Sequence, residues 1–381
     1  MRSSQVWFLV TVFFMPAMLS ACEGGLDIAP EAPPSEGDAG PASVDGSAPD
    51  ATLSGDASVS DATVPDARPD AEPTDPCDMI ECRDDQRCDP VRLACVCPEG
   101  LLEIAGMCVE LSPGDPQGRS AMEVCDTWNA GHVENASPAW RAGASACDLG
   151  TLTADGVDDG LRRVNLFRWL TGLGPVPEEP SLREQQQACA VIMDQNGRLS
   201  HNPDSSWDCH SAAGERAAGQ SNIALGYRTP GAAIDGYMRD RNTPSLGHRR
   251  WILSQTLGSV SIGFAGRGQC LHVFDRSGSS SRNWTAYPNA GPVPMYLTTH
   301  EWSFHSNDWR LNSATVQMTD MATGGALAVE VSHPSNGFGP NTVSWRPAGW
   351  TPSAGDTYLV RIDGISGSGP VEYTVSPVSC D

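Results

Sequence analysis

The sequence predicts an α+β fold for the main folded body of this 381-residue chain. Apolar side chains recur every third residue in one stretch, which predicts an amphipathic helix: Leu161, Val164, Phe167 and Leu170. In a later stretch they alternate with other residues, which predicts a strand: Val260, Ile262 and Phe264. A cluster of cysteines lies before this body, and a set of short alternating segments follows it. These patterns divide the chain into modules.

The first residues predict export and a lipid anchor. Arg2 precedes an apolar run from Val6 to Leu19 that Pro16 interrupts. The run is typical of a signal peptide and short for a membrane-spanning helix. It ends in Leu19-Ser20-Ala21-Cys22, which resembles the bacterial lipobox. The resemblance implies removal of residues 1–21, lipid on Cys22, and attachment to a membrane, with the outer membrane or cell surface favoured. An ordinary signal peptide with a chance cysteine is the alternative.

Residues 22–76 predict an acidic tether. Between Glu23 and Pro76 there are thirteen acidic residues and one Arg, a charge of −12, and no aromatic residue. Such a segment buries too little apolar surface to offset the entropy lost on ordering, so we expect it to stay disordered and extended. The net charge of the whole chain is −23, which argues against a nucleic-acid partner.

Residues 77–108 hold six of the twelve cysteines that follow Cys22. An exported segment of this size needs disulfides because it has too little core. A zinc site is the alternative, but the segment contains no His. Spacing alone leaves fifteen pairings open. The order resembles an EGF-like module, including Cys97-Pro98-Glu99-Gly100 after the fourth cysteine. That resemblance implies the pairs Cys77–Cys88, Cys82–Cys95 and Cys97–Cys108.

A lead-in segment, 109–154, precedes the central body, 155–288. Gly172 and Gly174 end the first helix of that body. A second helix is predicted from Ser181, with Glu184 completing a capping box. A third is predicted from Thr229, which would cap a helix with Pro230 in its first turn. Helices beside a small sheet indicate a layered α+β domain.

Four sequence blocks of the central body resemble a known family in their order: Val164–Arg168, Leu199–His201, Gly219–Gly226 and Gly247–Leu253. They are similar to blocks of the CAP/SCP superfamily of cysteine-rich secretory, antigen 5 and pathogenesis-related proteins. The resemblance implies an α-β-α sandwich with an open cleft. It also implies that two histidines and two acidic residues line that cleft, where some members bind zinc.

The histidines that match the family pattern are His201 and His248. Two neutral imidazoles facing one cavity would suit a divalent metal, so zinc is the cofactor implied. The family commonly has Glu before Asn222, where this chain has Ser221. Asp240 best matches the other acidic position, and Glu215 is a candidate to compensate for Ser221. The structural alternatives are that both histidines and Asn222 only tie loops and helix ends through hydrogen bonds.

The remaining cysteines predict three more disulfides by nearness and elimination: Cys125–Cys147, Cys189–Cys209 and Cys270–Cys380. After residue 288 several alternating segments separated by turns predict an antiparallel, Ig-like β-sandwich over 289–381. Four tryptophans of this module could stack on sugars, but packing is the favoured interpretation: Trp302, Trp309, Trp345 and Trp350.

No serine-nucleophile elbow, phosphate-binding glycine loop or zinc-protease helix occurs in the sequence. The leading hypothesis is therefore a non-enzymatic surface protein that binds a lipid, glycan or protein through the cleft and the added modules. The second is a metal-dependent hydrolase, with His201 and His248 as ligands and Asp240 or Glu215 as base. The third is a structural envelope protein.

Overall fold

The structure is a computed structural model that describes residues 77, 80–89, 94–98, 101–104, 107–133 and 138–380. The predicted signal peptide, Cys22 and the acidic tether lie outside these residues. No helix among the described residues is both long enough and apolar enough to cross a membrane. The described residues all belong to one compact unit, Ala71–Asp381.

The disulfide-rich region consists of two small antiparallel hairpins. Its strands are β1, Arg87–Asp89; β2, Ala94–Val96; β3, Leu101–Ile104; and β4, Met107–Glu110. Three disulfides close it: Cys77–Cys88, Cys82–Cys95 and Cys97–Cys108. These are the pairs that the resemblance implied. The EGF-like character of the region itself stays a prediction.

The α-helices of the described residues are α1, Ala121–Gly131; α2, Ala154–Leu170; α3, Arg183–Asn196; α4, Ala212–Gly219; α5, Pro230–Arg239; α6, Gly247–Ile252; and α7, Met295–Thr298. Short 3₁₀ turns occupy Pro116–Gly118 and Pro180–Leu182. As predicted, the Thr229 side chain caps α5 by accepting from the N–H of Ala232, and Pro230 opens the helix.

The capping box predicted at Ser181 is not formed. The carboxylate of Glu179 accepts from the N–H of Ser181 at 3.1 Å, so Glu179 caps the 3₁₀ turn that begins at Pro180. The helix α3 then begins two residues later than predicted, at Arg183, and no side chain caps it. The prediction therefore misplaced the cap because an acidic residue immediately before the proline takes that role.

A three-stranded antiparallel sheet, in the order β7-β9-β8, forms the centre of the body. Its strands are β7, Ser221–Leu225; β8, Ser261–Ala265; and β9, Gly268–His272. Two short strands precede them in the chain and pair with each other: β5, Trp140–Arg141, and β6, Thr151–Leu152. The helix α3 lies directly on this sheet. A β-carbon on Gly263 would come within 2.0 Å of the Gln186 carbonyl oxygen, so glycine permits this approach.

The C-terminal part contains two sheets with a common core. One has the order β10-β12-β16-β15 and the other β11-β18-β17-β13-β14. The strands are β10, Thr285–Tyr287; β11, Gly291–Pro294; β12, Trp302–Ser306; β13, Thr315–Asp320; β14, Ala326–Leu327; β15, Val329–Ser332; β16, Asn341–Pro347; β17, Tyr358–Asp363; and β18, Val371–Val378. Their pairing is antiparallel except that β11 runs parallel to β18.

Two details of this part differ from the sequence prediction. Its first strand, β10, begins before residue 289 and pairs with β12. The alternating segment from Leu327 to Val331 is divided between β14 and β15, which belong to different sheets. Trp302 and Trp345 are fully buried, and Trp309 and Trp350 pack against the same core, which confirms the packing interpretation. The α-β-α and Ig-like sandwich arrangements stay predictions.

The three disulfides predicted by nearness are wrong. In place of Cys125–Cys147, Cys189–Cys209 and Cys270–Cys380, the structure has Cys125–Cys380, Cys147–Cys209 and Cys189–Cys270. The packing of α3 on the sheet brings Cys189 to Cys270 on β9, with their Cα atoms 6.1 Å apart. The helix α1 contacts β11, which pairs with β18, and so Cys125 meets the end of the chain at Cys380.

Two buried arginines of α6 join the central body to the C-terminal sheets. Arg249 donates to the Glu301 carbonyl at 2.7 Å and to the Ser303 hydroxyl at 2.9 Å. Arg250 donates to the carbonyls of Ser335 and Pro340, each at 2.8 Å. Both side chains are fully excluded from solvent. The C-terminal part therefore accepts hydrogen bonds from both of the charged residues that immediately follow His248.

We predict that replacing Cys125 and Cys380 together with Ala lowers the free energy of unfolding by about 2–5 kcal/mol. The pair joins α1 to the chain end across 255 residues, so its loss frees a large part of the unfolded chain. Chemical denaturation followed by tryptophan fluorescence measures the change. The control is Cys77→Ala with Cys88→Ala, which opens only the small N-terminal region and should leave the main transition unchanged. A peptide map of the unreduced protein that shows a disulfide between Cys125 and Cys147 would contradict the observed pairing.

Candidate functional site

His248 and Asp240 form the best-defined pair at the candidate site. The helix α5 ends at Arg239, and the next residue, Asp240, has a left-handed backbone with φ of 50° and a fully buried side chain. This turn directs the carboxylate toward α6, where Oδ1 accepts from His248 Nδ1 at 2.7 Å and Oδ2 accepts from the Arg249 N–H at 3.2 Å. Because the carboxylate is an acceptor, Nδ1 is the donor of this hydrogen bond, and in the neutral form of the ring the free electron pair is therefore on Nε2.

Two further contacts hold the His248 residue in place. The ring of Tyr237, on α5, stacks on the imidazole with centroids 5.2 Å apart. The Tyr237 hydroxyl donates to the Asn222 carbonyl at 3.0 Å, and the Asn222 amide donates to the His248 carbonyl at 3.0 Å. Burial raises the pKa of Tyr237 well above 10, so its hydroxyl keeps the proton that it donates. The sheet, α5 and α6 thus position one imidazole together.

His201 reaches the site from the loop between α3 and α4. Its Nδ1 lies 2.9 Å from the Ala218 carbonyl near the end of α4, so Nδ1 is the donor and Nε2 the acceptor of the neutral ring. The pKa of His201 is lowered from 6.5, chiefly because the surrounding protein displaces water from the ring and also because His248 is close enough to repel a second proton. The ring is therefore neutral at pH 7, although the residue as a whole is exposed.

Ser221 does not supply the acidic group that the family pattern has at this position. Its side chain is buried, and its hydroxyl donates to Gln186 Oε1 on α3 at 2.7 Å. Ser221 is the first residue of β7 and lies beside His272 in the sheet. At the position where the family pattern has a carboxylate, this chain thus has a hydroxyl group that is hydrogen-bonded to another side chain of the protein.

Glu215 does not compensate for Ser221 through the predicted histidines. It lies on α4, and its Oε2 is 3.0 Å from Nε2 of His210. Its side chain is 40 % exposed, so this contact lies at the protein surface and contributes little to stability. Of the six predicted cleft residues, the structure joins His248, Asp240 and Asn222 by hydrogen bonds, and it places His201 near His248. Ser221 and Glu215 have other partners.

The metal predicted for this site does not fit a three-ligand geometry. Within the part of the chain that the structure describes, no group of three or more His, Cys, Asp or Glu residues could hold a metal ion. A catalytic zinc ion usually has three protein ligands and an open position. His201 and His248 would provide two imidazoles, and the carboxylate of Asp240 contacts the far nitrogen of one of them. We therefore derive no metal-dependent step.

The sequence interpretation missed three residues that shape the site. None of Tyr237, Gln186 and His210 was among the predicted site residues, and His210 was not connected with Glu215. Tyr237 carried no local signal for this role, because its partners Asn222 and His248 lie on other elements. Gln186 carried no local signal either, because its partner Ser221 lies 35 residues away. His210 carried none because it lies in the loop before α4, and its partner Glu215 lies five residues later on that helix.

We predict that Asp240→Asn lowers the free energy of unfolding by about 1–3 kcal/mol. An asparagine can accept from His248 with its oxygen, but its NH₂ group then faces the Arg249 N–H, so one buried donor loses its acceptor. Chemical denaturation measures the loss, and the ¹⁵N shifts of the His248 ring report whether Nδ1 keeps its proton. Glu215→Gln is the control, because an exposed pair contributes little. Equal stability of Asp240→Asn and the unmodified chain would contradict this role.

Comparison with known proteins identifies a family for the part of the chain that contains the site. Residues 161–274 match the family model described as CAP, the cysteine-rich secretory protein family. The matched range begins within α2 and ends two residues after β9, and it contains all six predicted cleft residues. Searches of curated proteins and of solved structures found no significant match. The central part of this chain, from residue 161 to residue 274, is therefore a CAP domain.

Proposed function

We propose that this chain is an exported, lipid-anchored surface protein that binds a ligand at the edge of its CAP domain without transforming it. The observation that carries the proposal is the matched orientation of His201 and His248. Each ring donates through Nδ1 to an oxygen of the protein, which leaves Nε2 as the acceptor. Two fixed acceptors near one another suit a ligand that offers N–H or O–H donors.

The partners of the acidic residues support binding over hydrolysis. Both carboxylate oxygens of Asp240 accept hydrogen bonds from the protein, one from His248 and one from Arg249. Glu215 is paired with His210, and Ser221 presents a hydroxyl to Gln186. A general base needs an electron pair within reach of the proton that it takes. Asp240 and Glu215, the two candidates for the general base, thus already accept hydrogen bonds from other groups of the protein.

A metal-dependent hydrolase is the second candidate, and the Asp240–His248 pair favours it. A carboxylate that accepts from one nitrogen of a histidine commonly orients the other nitrogen toward a metal. Zinc retained by the purified chain in a 1:1 ratio, and lost in the double variant His201→Ala, His248→Ala, would support this candidate over ours. Elemental analysis of protein purified without chelators makes the comparison.

Two features support the surface location. The sequence Leu19-Ser20-Ala21-Cys22 has the form of a lipobox, and lipid on Cys22 would anchor the chain to a membrane. The described residues contain six disulfides, which persist in an oxidising compartment outside the cytoplasm. The acidic segment between Cys22 and the disulfide-rich region would hold the folded part away from the membrane.

We predict that Cys22→Ala moves the protein from the membrane fraction to the soluble fraction, because it removes the acylated residue. Cell fractionation with immunodetection measures the distribution. Cys77→Ala with Cys88→Ala is the control, since these cysteines form a disulfide and should not affect membrane attachment. Continued recovery of Cys22→Ala with the membranes would refute lipid anchoring at this residue.

We predict that the double variant His201→Ala, His248→Ala weakens ligand binding about tenfold or more, because two hydrogen-bond acceptors are lost. The probes are peptidoglycan, chitin, and vesicles of phosphatidylglycerol with phosphatidylcholine, tested by co-sedimentation in the Cys22→Ala background, so that lipid on Cys22 does not itself hold the protein on the vesicles. Binding by the unmodified chain should also weaken as the pH falls below 6.5, because a protonated His201 no longer accepts a hydrogen bond.

The control for this experiment is His210→Ala, which removes a histidine of the same domain that is paired with Glu215. Its binding should equal that of the unmodified chain. Full binding by the double histidine variant would place the ligand elsewhere. Failure of the unmodified chain to bind any of the probes would contradict the binding proposal and favour a structural role in the envelope.

A further inference from the structure

Two aromatic side chains lie together at α6, the helix that carries His248. Trp251 follows His248 by three residues on α6, so both lie on one face of that short helix. Phe274, two residues after β9, packs against Trp251 with ring centroids 4.6 Å apart and a tilt of 41°. Phe274 is 41 % exposed and Trp251 is half-buried. The pair therefore forms an open apolar surface with two inclined faces.

A third aromatic side chain reaches the same helix from the C-terminal sheets. A β-carbon placed on Gly247 would lie 3.3 Å from Cβ of Phe338, so this phenylalanine covers the first residue of α6. Gly247 and Trp251 are four residues apart, hence on the same face and about 6 Å apart along the helix axis. Phe338 is 36 % exposed. We call Phe338, Trp251 and Phe274 the aromatic strip.

The loop that carries Phe338 is held in place. It joins β15 to β16, and the buried guanidinium of Arg250 donates to the carbonyls of Ser335 and Pro340 on either side of Phe338. The other end of the strip is held next to the sheet, because the N–H of Val273, which precedes Phe274, donates at 3.2 Å to the carbonyl of Gln220, which precedes β7. The strip is thus formed before a ligand arrives, so little ordering would oppose binding.

We propose that the aromatic strip binds a polysaccharide chain of pyranose sugars, with His201 and His248 accepting hydrogen bonds from its hydroxyl groups. This inference rests on the proposed function and names the ligand class of that site. Pyranose rings have apolar C–H faces that pack on exposed aromatic rings, and hydroxyl groups around their rims. A strip that follows one helix face suits a chain of several rings more than a single sugar.

The chemistry of the surroundings favours a sugar over a lipid tail. The two imidazoles present hydrogen-bond acceptors, and an acyl chain has no donor for them. The guanidinium of Arg276 lies over the Trp251 ring, 6.0 Å from its centroid, and carries hydrogen-bond donors for sugar hydroxyl groups. The strip is also open to solvent, so an acyl chain on it would keep much of its surface in water, which removes most of the gain from burial.

The test uses the full-length chain with Cys22→Ala, so that lipid on Cys22 contributes nothing to binding, and isothermal titration with three soluble probes: chitohexaose, cellohexaose and peptidoglycan glycan strands. The unmodified chain should bind at least one of them. We expect Phe274→Ala and Phe338→Ala each to weaken that binding about three- to tenfold, because each removes one stacking face. Trp251→Phe should retain more affinity than Trp251→Ala. Met122→Ala, at a 73 % exposed residue of α1, is the matched control and should bind normally.

Each outcome decides between the two proposals. Loss of binding in the aromatic variants and in the histidine double variant supports both. If the histidine variant loses binding but Phe274→Ala and Phe338→Ala keep it, the strip is refuted and the proposed function stands. Retention of phosphatidylglycerol vesicles or palmitate, with no binding of the three glycans, refutes the polysaccharide and leaves binding at the cleft in place. Absence of binding to any glycan, vesicle or palmitate overturns both.

Discussion

The arrangement of the site depends on the buried guanidinium of Arg249. A cation removed from water costs several kcal/mol unless the protein replaces its hydration, and Arg249 has no contact with solvent. Its donors reach the carbonyls of Met238 and Arg239 at the end of α5, and the Glu301 carbonyl and Ser303 hydroxyl of the C-terminal part. The guanidinium also lies 4.1 Å from the Tyr287 ring centroid. Burial lowers the pKa of Arg249, while Tyr287, Asp240 and Glu301 oppose that effect.

This requirement explains why the CAP domain and the C-terminal sheets form a single body. The oxygens that satisfy Arg249 come from both, so neither part alone could bury this side chain without leaving donors unpaired. Asp240 accepts from the Arg249 N–H and from the His248 ring. The group that orients the histidine is therefore also part of the junction. A change in the packing of the C-terminal sheets would therefore alter the position of Asp240 and His248 through their hydrogen bonds with Arg249 and each other.

The disulfides show two different uses of cysteine in one chain. In the N-terminal region they close loops of 11 or 13 residues and replace a core that is too small. In the larger body they join elements that packing has already brought together, such as α3 with β9. The local pairs followed from a resemblance in cysteine order. The distant pairs depend on which elements face each other, and nearness in sequence carries no information about that.

The sequence by itself determined the kinds of element and the presence of a CAP domain. The spacing of Leu161 through Leu170, the cap at Thr229 and the alternation in β8 and β13 are local patterns, because helix and strand periodicity depend on neighbouring residues. It also identified His201, His248 and Asp240 through motif resemblance. Tertiary structure alone decided that Asp240 bonds to His248, that Glu215 bonds to His210, and that Phe338 lies over Gly247. These contacts join residues from separate elements, and their distances follow from side-chain packing across the whole body, which no local pattern records.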